Sequence, residues 1–447
     1  MTTPNALVPL QSAGAVDIEL LAIVTTDGRY NSIKDYLSEL NLYEDIFSNF
    51  VHGNIQLSDS TNLIKEMPIV GDEYLVMKIR TPSLDSYIYK MFRIFAVSDR
   101  AIVTDLNTQL YTLHFISKEA VIDTLTSLSK SFSGKIDEVV KRLYEDYLKT
   151  ERTLEASGES LKLSTYSTAL EIFTKTENSI KFVSPGWTPF KCINFCASKA
   201  IPKEGKACNF LFFETNKKFY FGSVESIFDL NNLTGKLTLG KYNYAPNNVA
   251  RGTDDLNEKM FQVEQFDVVK TSDHLQNYSN GYLANRLITL DVVNKKYEFH
   301  DYDHVEKFKT YQHSQGTKSI PIFANETPRN PITNIKFYPI HPGLHNLEKN
   351  INERMPDIYG NRMSNMMELA NFKLNLTVPG RTDAEVGAMI YFSFPDVSPK
   401  ASSDSTKTNE DKYYSGNYII TALRHKINLY KHTMTMEIVK DALNSTI

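Results

Sequence analysis

The chain has 447 residues, 41% hydrophobic and 23% charged, with a formal net charge of −4. This length exceeds what one apolar core usually serves, so two or more domains are expected, and the ordinary composition excludes wholesale disorder. The slightly acidic balance argues against duplex binding, whose affinity comes mostly from phosphate neutralisation, and no run reaches the ~18 apolar residues of a membrane helix, so stable membrane insertion is not expected.

The 25 Tyr and 25 Phe, against one Trp, suit a fold of many short strands. Residues 1–15 are small and polar and read as a loose tail without a secretory signal, which points to assembly in the cytoplasm. Val16 to Thr25 predicts a first strand. Tyr30 to Phe47 carries Ile33, Tyr36, Leu37 and Leu40 at helical spacing and predicts a short helix or a loop. Val51 to Leu57 reads as a strand, followed by a capping cluster at Ser58-Asp-Ser60. Further strands are predicted at 74–79, 91–97 and 109–115.

Ser117 to Lys149 predicts helix, with Val121, Ile122, Leu125, Leu128 and Phe132 on one stripe and a break at Gly134. A second helix carries Ile136, Val139, Val140, Leu143, Tyr144 and Tyr147, with Asp137–Lys141 and Glu138–Arg142 pairs on its wet face. Residues 150–160 form a polar linker. Thr188 and Pro189 are suited to the cap and first position of a helix reaching Ala200, and Trp187 reads as a core anchor at its start. A hairpin joins 209–213 to 219–221 around a turn at 215–218. Residues 231–258 are polar and turn-rich, 287–299 is strand-like, 315–358 is studded with Pro, Asn and Gly, and 363–370 reads as a short helix.

The stretch from Asn371 to Leu443 predicts four strands, at 372–378, 388–394, 418–423 and 432–439, arranged as an antiparallel meander. In the last of them Met434, Met436 and Ile438 alternate with Thr433, Thr435 and Glu437, as a strand with one buried face requires. The Ser/Asp/Lys-rich segment 398–412 cannot bury a core and reads as a mobile loop. This region parallels an earlier one. Val70-Gly71 matches Val386-Gly387, 74–79 matches 389–394, 91–97 matches 417–422, and 109–115 matches 432–438. These matches indicate an internal duplication of one β module, with chance similarity between short strands as the alternative.

A search for chemistry finds no nucleophile elbow, phosphate loop, dinucleotide fingerprint or zincin motif. Cys192, Cys196 and Cys208 form neither a disulfide framework nor a complete zinc set, and read as buried thiols in a reducing compartment. His300-Asp-Tyr-Asp-His304 gathers two imidazoles and two carboxylates. As a helix it could hold a divalent ion, as a strand it would split imidazoles from carboxylates, and a polar turn is the plainer expectation. His341 to His345, Arg251 to Asp254 and Arg381 to Asp383 read as turns. No catalytic, cofactor-binding or metal residue is assigned, and no enzyme activity or cofactor is expected.

The segments Thr377 to Gly387, Tyr413 to Ala422 and Lys431 to Val439 resemble the closing part of baseplate central hub proteins of contractile-tailed phages, the T-even type. Gly186-Trp-Thr-Pro-Phe190 with Asn209 to Glu214 resembles their inserted domain, and Val51 to Asp59 their first barrel. Segments 398–412 and 315–358 depart from the pattern. The resemblance implies a β-rich α+β fold with two tail-tube-like antiparallel β-barrels and inserted mixed α/β domains. The expected division is a tail at 1–15, a first barrel at 16–117, a mixed insert at 118–260, a second barrel from 261–305 with 366–447, and a Pro/Asn-rich insertion at 306–365. It further implies a virion protein of the tail baseplate that forms a homotrimer. Its expected partners are a trimeric central spike, tail tube or tube-initiator proteins and baseplate wedge proteins, with genomic DNA passing through a central channel. A tail-associated hydrolase is an alternative, with Glu214 and His304 as the residues to test, and a receptor- or glycan-binding tail module is another.

Overall fold

In the computed structural model, the described residues are 10–26, 28–61, 63, 68–103, 108–149, 152–155, 162–166, 168–234, 238–244, 255–271, 274–315, 318–319, 332–340, 354–396 and 410–443. The tail at 1–9, most of the linker at 150–160, much of 235–254 and 316–353, and the loop at 397–409 lie outside them. So do the turns at 251–254 and 341–345. Residues 10–15 are not loose, because the carbonyl of Gly14 accepts the His432 amide at 2.8 Å.

Besides a short strand at Tyr30–Ser32 that pairs with the first, six strands form the first quarter: β1 (Asp17–Val24), β2 (Leu37–Asp45), β3 (His52–Asp59), β4 (Tyr74–Arg80), β5 (Tyr87–Val103) and β6 (Thr108–Ser117). Their order in the sheet is β1-β4-β5-β6-β3-β2. Alternate side chains (Ile55 and Leu57 on β3, Leu113 and Phe115 on β6) meet in one apolar core. Over 30–47 the expected short helix is confined to one 3-10 turn at Lys34–Tyr36, and strand takes most of the rest, at Tyr30–Ser32 and β2. Leu40, Leu42 and Glu44 are buried at period two, and that strand periodicity overrides the helical spacing of Ile33, Tyr36, Leu37 and Leu40.

The next stretch mixes helices and short strands. α1 (Lys118–Leu125) ends earlier than the expected stripe. Leu125 is 81% exposed, Leu128 bridges to Trp187, and Phe132 sits in a strand paired with 179–183. α2 (Ile136–Tyr147) buries Val139, Val140, Leu143 and Tyr144 as expected. Asp137 is not on its wet face, since it is buried and accepts the Thr176 hydroxyl at 2.6 Å, and Arg142 donates to the Ser133 carbonyl instead of pairing with Glu138. α3 (Pro189–Ser198) is capped by Thr188, with Pro189 at its start. Cys192, Cys196 and Cys208 are free and buried. Trp187 is half-buried against Phe195. The hairpin β7 (Phe210–Glu214) and β8 (Phe219–Ser223) forms around the Thr215–Lys218 turn.

Two further strands, β9 (Thr238–Tyr244) and β10 (Gln265–Thr271), return to the large sheet. Residues 287–299 are not one strand: β11 (Ala284–Asp291) and β12 (Lys296–Asp303) form a hairpin, and β13 (Ile332–Ile340) lies parallel to β11. α4 (Met355–Glu368) starts before the expected 363. The chain closes with β14 (Phe372–Pro379), β15 (Met389–Ser393), β16 (Gly416–Ile427) and β17 (His432–Val439). The order in this part is β9-β15-β16-β17-β14-β10, so the four last strands are not a simple meander: β14 pairs with β17, not with β15. Pairing to the final strand lets β14 bury Phe372, Leu374, Leu376 and Val378 in the second core.

The two orders correspond strand for strand. In both halves the register slips at the same place, between Ile94 and Ala96 against β6 and between Ile420 and Ala422 against β17. Gly71 and Gly387 both take positive φ, +93 and +83, just ahead of β4 and β15, where a side chain at Cβ would be strained. The halves differ in the direction of one end strand: β1 runs antiparallel to β4, whereas β9 runs parallel to β15, so the sheets are not wholly antiparallel. The fold is β-rich α+β; in the second half Gln262–Val263, directly ahead of β10, pairs parallel with the end of β9 and brings the two end strands of that half together, while among the described residues no ladder joins β1 to β2. Both halves belong to one 14-stranded sheet.

Candidate assembly interface

One ladder joins the halves. β16 is long enough to use its edge twice. Its first part, 416–419, pairs with β15, and its second part, 422–427, pairs with β2 from Ala422 opposite Asp45 to Ile427 opposite Leu40. Side chains alternate across this joint. On the inner side Leu423 joins the second core, and Ile427 joins the first beside Leu40 and Leu42. On the outer side Arg424 donates to Asn41 Oδ1 at 2.9 Å, and Lys426 reaches Glu39 at 2.9 Å. These exposed pairs are worth little, so apolar burial and the backbone ladder carry the joint.

The β7–β8 turn is wedged against the joint from inside. Glu214 accepts the Val51 amide at 2.8 Å and the Ser117 hydroxyl, and faces Lys90 Nζ at 2.6 Å, with both charged side chains fully buried. Lys90 also donates to the Thr215 carbonyl at 2.8 Å. From Thr215 on, the turn holds both halves, the first through Glu44 and the second through Ala384 and Glu385. Asn216 N donates to Glu44 Oε1 at 3.0 Å, Asn216 Nδ2 donates to the Ala384 carbonyl at 3.0 Å, and Thr215 and Tyr220 hydroxyls donate to Glu385 at 3.1 and 3.2 Å. Thr81 and Thr382 add a reciprocal pair, each amide donating to the other's hydroxyl at 3.1 Å, which gives the Arg381–Asp383 turn a docking role between halves.

Burial, reinforced by the nearby Glu385 charge, raises the Glu44 carboxyl to about 7. Burial likewise raises Glu119 to about 7, with the Glu214 charge adding to it. Burial lowers His425 to about 3 and drives His432 well down, so the 2.9 Å contact between their rings is a hydrogen bond between neutral imidazoles. Glu44 and His425, 3.8 Å apart, are therefore not an ion pair at neutral pH. These groups hold elements together; they are not open to a substrate.

The residues singled out for chemistry fall elsewhere. Residues 300–303 close β12 and His304 opens a short helix, so the segment is not a turn. His300 meets the Thr289 hydroxyl at 2.9 Å, Asp301 pairs with Arg286 at 2.5 Å, and His304 is buried 3.3 Å from Glu368. Burial pushes His304 down to about 4 and Glu368 up, while His313, which burial opposes, is raised to about 9 by its hydrogen bond to Asp441. Glu214 belongs to the joint cluster and His304 to this separate one, so the sequence candidates are not brought together. No group of metal-ligating side chains occurs among the described residues. Sequence reasoning missed Glu44 and Lys90. The available signal was a charged residue at an inward position of an apolar alternation, as in Ile88-Tyr-Lys90-Met-Phe92.

Two edges that correspond to the joint are bare among the described residues. β5 pairs with β4 only as far as Arg93, so from Ala96 its edge has no strand beside it, although the equivalent stretch of β16 carries β2. β10, the counterpart of β2, pairs with β14 alone, and the pairing of the preceding Gln262–Val263 with β9 stops before it. Both bare edges expose apolar side chains: Phe95 54%, Val97 40% and Ile102 67% on β5, Val268 45% and Val269 50% on β10.

Solved structures place this architecture. The tail protein from Neisseria meningitidis MC58 matches 96% of this chain over 96% of its own, with TM-score 0.50 at 9% identity. The 43 kDa tail protein of prophage MuSo2 from Shewanella oneidensis matches 95% over 99%, with TM-score 0.52 at 8% identity. The chain shares the fold of two tail proteins. No protein-family model and no curated protein matches it.

Proposed function

We propose that this chain is a structural subunit of a phage tail, a homotrimeric baseplate central hub. The observation that carries the reading is the duplication: two six-strand units of equivalent order and register, already joined once within the chain. Three copies would set six similar units around an axis, a ring suited to stack on a sixfold tail tube on one side and a trimeric spike on the other. Such a ring closes by heterologous contacts between neighbours. The shared fold with two tail proteins and the sequence resemblance to hub proteins support the same reading. Wedge proteins on its periphery and DNA passing through its centre without base-specific contacts belong to the proposal. So does location in the virion, reached after assembly in the host cytoplasm.

The proposal retains the first unit at 16–117 and builds the second from 238–244, 261–271 and 371–443, with the other segments as insertions. β9 joins the second unit because it pairs with β15, and the β11–β13 sheet leaves it because it pairs only within itself. Mass photometry of the purified full chain tests the reading. Particles of three times the 51.0 kDa chain, ring-shaped in electron micrographs, support it. A monomer at every concentration that binds neither tube nor spike protein overturns it.

A further inference from the structure

We propose that the joint between the two halves is repeated between chains: the edge of β5 from Val97 to Val103 takes β10, Gln265–Thr271, of a second copy as its neighbour. The inference rests on the ring reading above and goes further by naming the strands and their register.

Ladder partners equate Val97 with Leu423, Ser98 with Arg424, Ala101 with Lys426 and Ile102 with Ile427, because each faces the same place on β6 or β17. The same procedure through β3 and β14 equates Leu40 with Phe266, Asn41 with Asp267, Leu42 with Val268 and Tyr43 with Lys270. Carrying the internal joint across sets Ser98 opposite Lys270, Ala101 opposite Asp267 and Ile102 opposite Phe266.

A second observation bears on the fit independently. Relative to the internal joint, β5 carries one extra residue between Ser98 and Ala101, and β10 carries one extra between Val268 and Lys270. Either irregularity alone would throw a ladder out of register. Here the two fall opposite each other, so Asp99 faces Val269, Arg100 faces Val268, and the ladder runs unbroken from Val97–Thr271 to Val103–Gln265. The pairing also covers the exposed Val97, Ile102, Val268 and Val269 and fills two strand edges that are open among the described residues, where open edges are an aggregation hazard. Each chain offers one edge of each kind, so the contact is heterologous and propagates around a ring.

Cysteine cross-linking of the full chain tests this, since Cys192, Cys196 and Cys208 are buried. The double variant Ala101→Cys/Asp267→Cys should run as covalent dimers and trimers on a non-reducing gel after mild oxidation, while each single variant stays monomeric. The control Ala101→Cys/Val268→Cys, shifted by one residue and so directed to opposite faces, should link at least tenfold less. Linking through 268 rather than 267 overturns the register. A native trimer that links through neither pair overturns the edge assignment and leaves the ring reading standing. A monomer with no link at any concentration overturns both.

Discussion

The internal joint and the bare edges are the same piece of fold in two conditions. At the joint, Leu40, Leu42, Leu423 and Ile427 are buried, and their cores flow into each other. At the edges the counterparts Val97, Ile102 and Val268 are exposed. Sequence follows condition. The joint adds an inner layer of buried polar groups, Glu44, Lys90, Glu214 and Glu385, pinned by the β7–β8 turn, whereas the exposed edges carry compact β-branched residues and a compensating irregularity. A contact formed once with the chain's own folding is locked by buried hydrogen bonds; one formed between finished chains relies on apolar edges that tolerate water beforehand.

The equivalent positions Leu42 and Val268 give the largest contrast. Leu42→Asp places an unpaired charge in the first core and should cost about 4 kcal/mol or more, enough to abolish a cooperative unfolding transition in most domains. Val268→Asp should leave the unfolding free energy of the monomer within ~0.5 kcal/mol of the parent. It should still weaken self-association at least tenfold in sedimentation. Equal loss of stability in both variants would erase the distinction between joint and edge.

Next in size is the buried pair that ties the turn to the first half. Lys90→Met strands the Glu214 carboxylate and should lower stability by about 3–5 kcal/mol in denaturant titration. The double variant Lys90→Met/Glu214→Gln should recover part of that loss, because the remaining amide oxygen still accepts from Val51 or Ser117.

The smallest effect is a pH dependence with two opposing signs. Glu44 has a raised folded value, about 7 against 4.5, so its contribution is complete below 4.5 and fades as pH rises through 7. His425 has a depressed folded value, about 3 against 6.5, so its contribution is complete above 6.5 and fades as pH falls toward 3. Between pH 6.5 and 4.5 the two offset each other. Glu44→Gln should therefore steepen the loss of thermal midpoint on acidification over this window, and a flatter profile would contradict the assigned burial.

Much of the large sheet was legible in the sequence because its strands alternate cleanly. The run 432–439 appears with the expected bounds, and the matched offsets of the two halves coincide with the observed ladders. What was not legible has specific causes. β2 was hidden because Glu44 interrupts its apolar alternation, and that carboxylate is satisfied by amides far along the chain, at Asn216 and Val386. Phe132 fell on a helical stripe by coincidence of spacing, and its strand partner lies at 182, far along the chain. The placement of β14 beside β17 rather than β15 is a long-range choice that no local pattern encodes. The interface was invisible for the same reason: its residues are ordinary valines, leucines and isoleucines until two sheet edges are laid side by side.

A map of the assembled particle by electron cryomicroscopy tests the central claim most directly. The account predicts three copies in which residues 97–103 of each chain lie about 4.8 Å, one ladder spacing, from residues 265–271 of the next, alternating with three internal joints around the ring. An assembled ring in which those two edges face solvent, or contact a different protein, would contradict it.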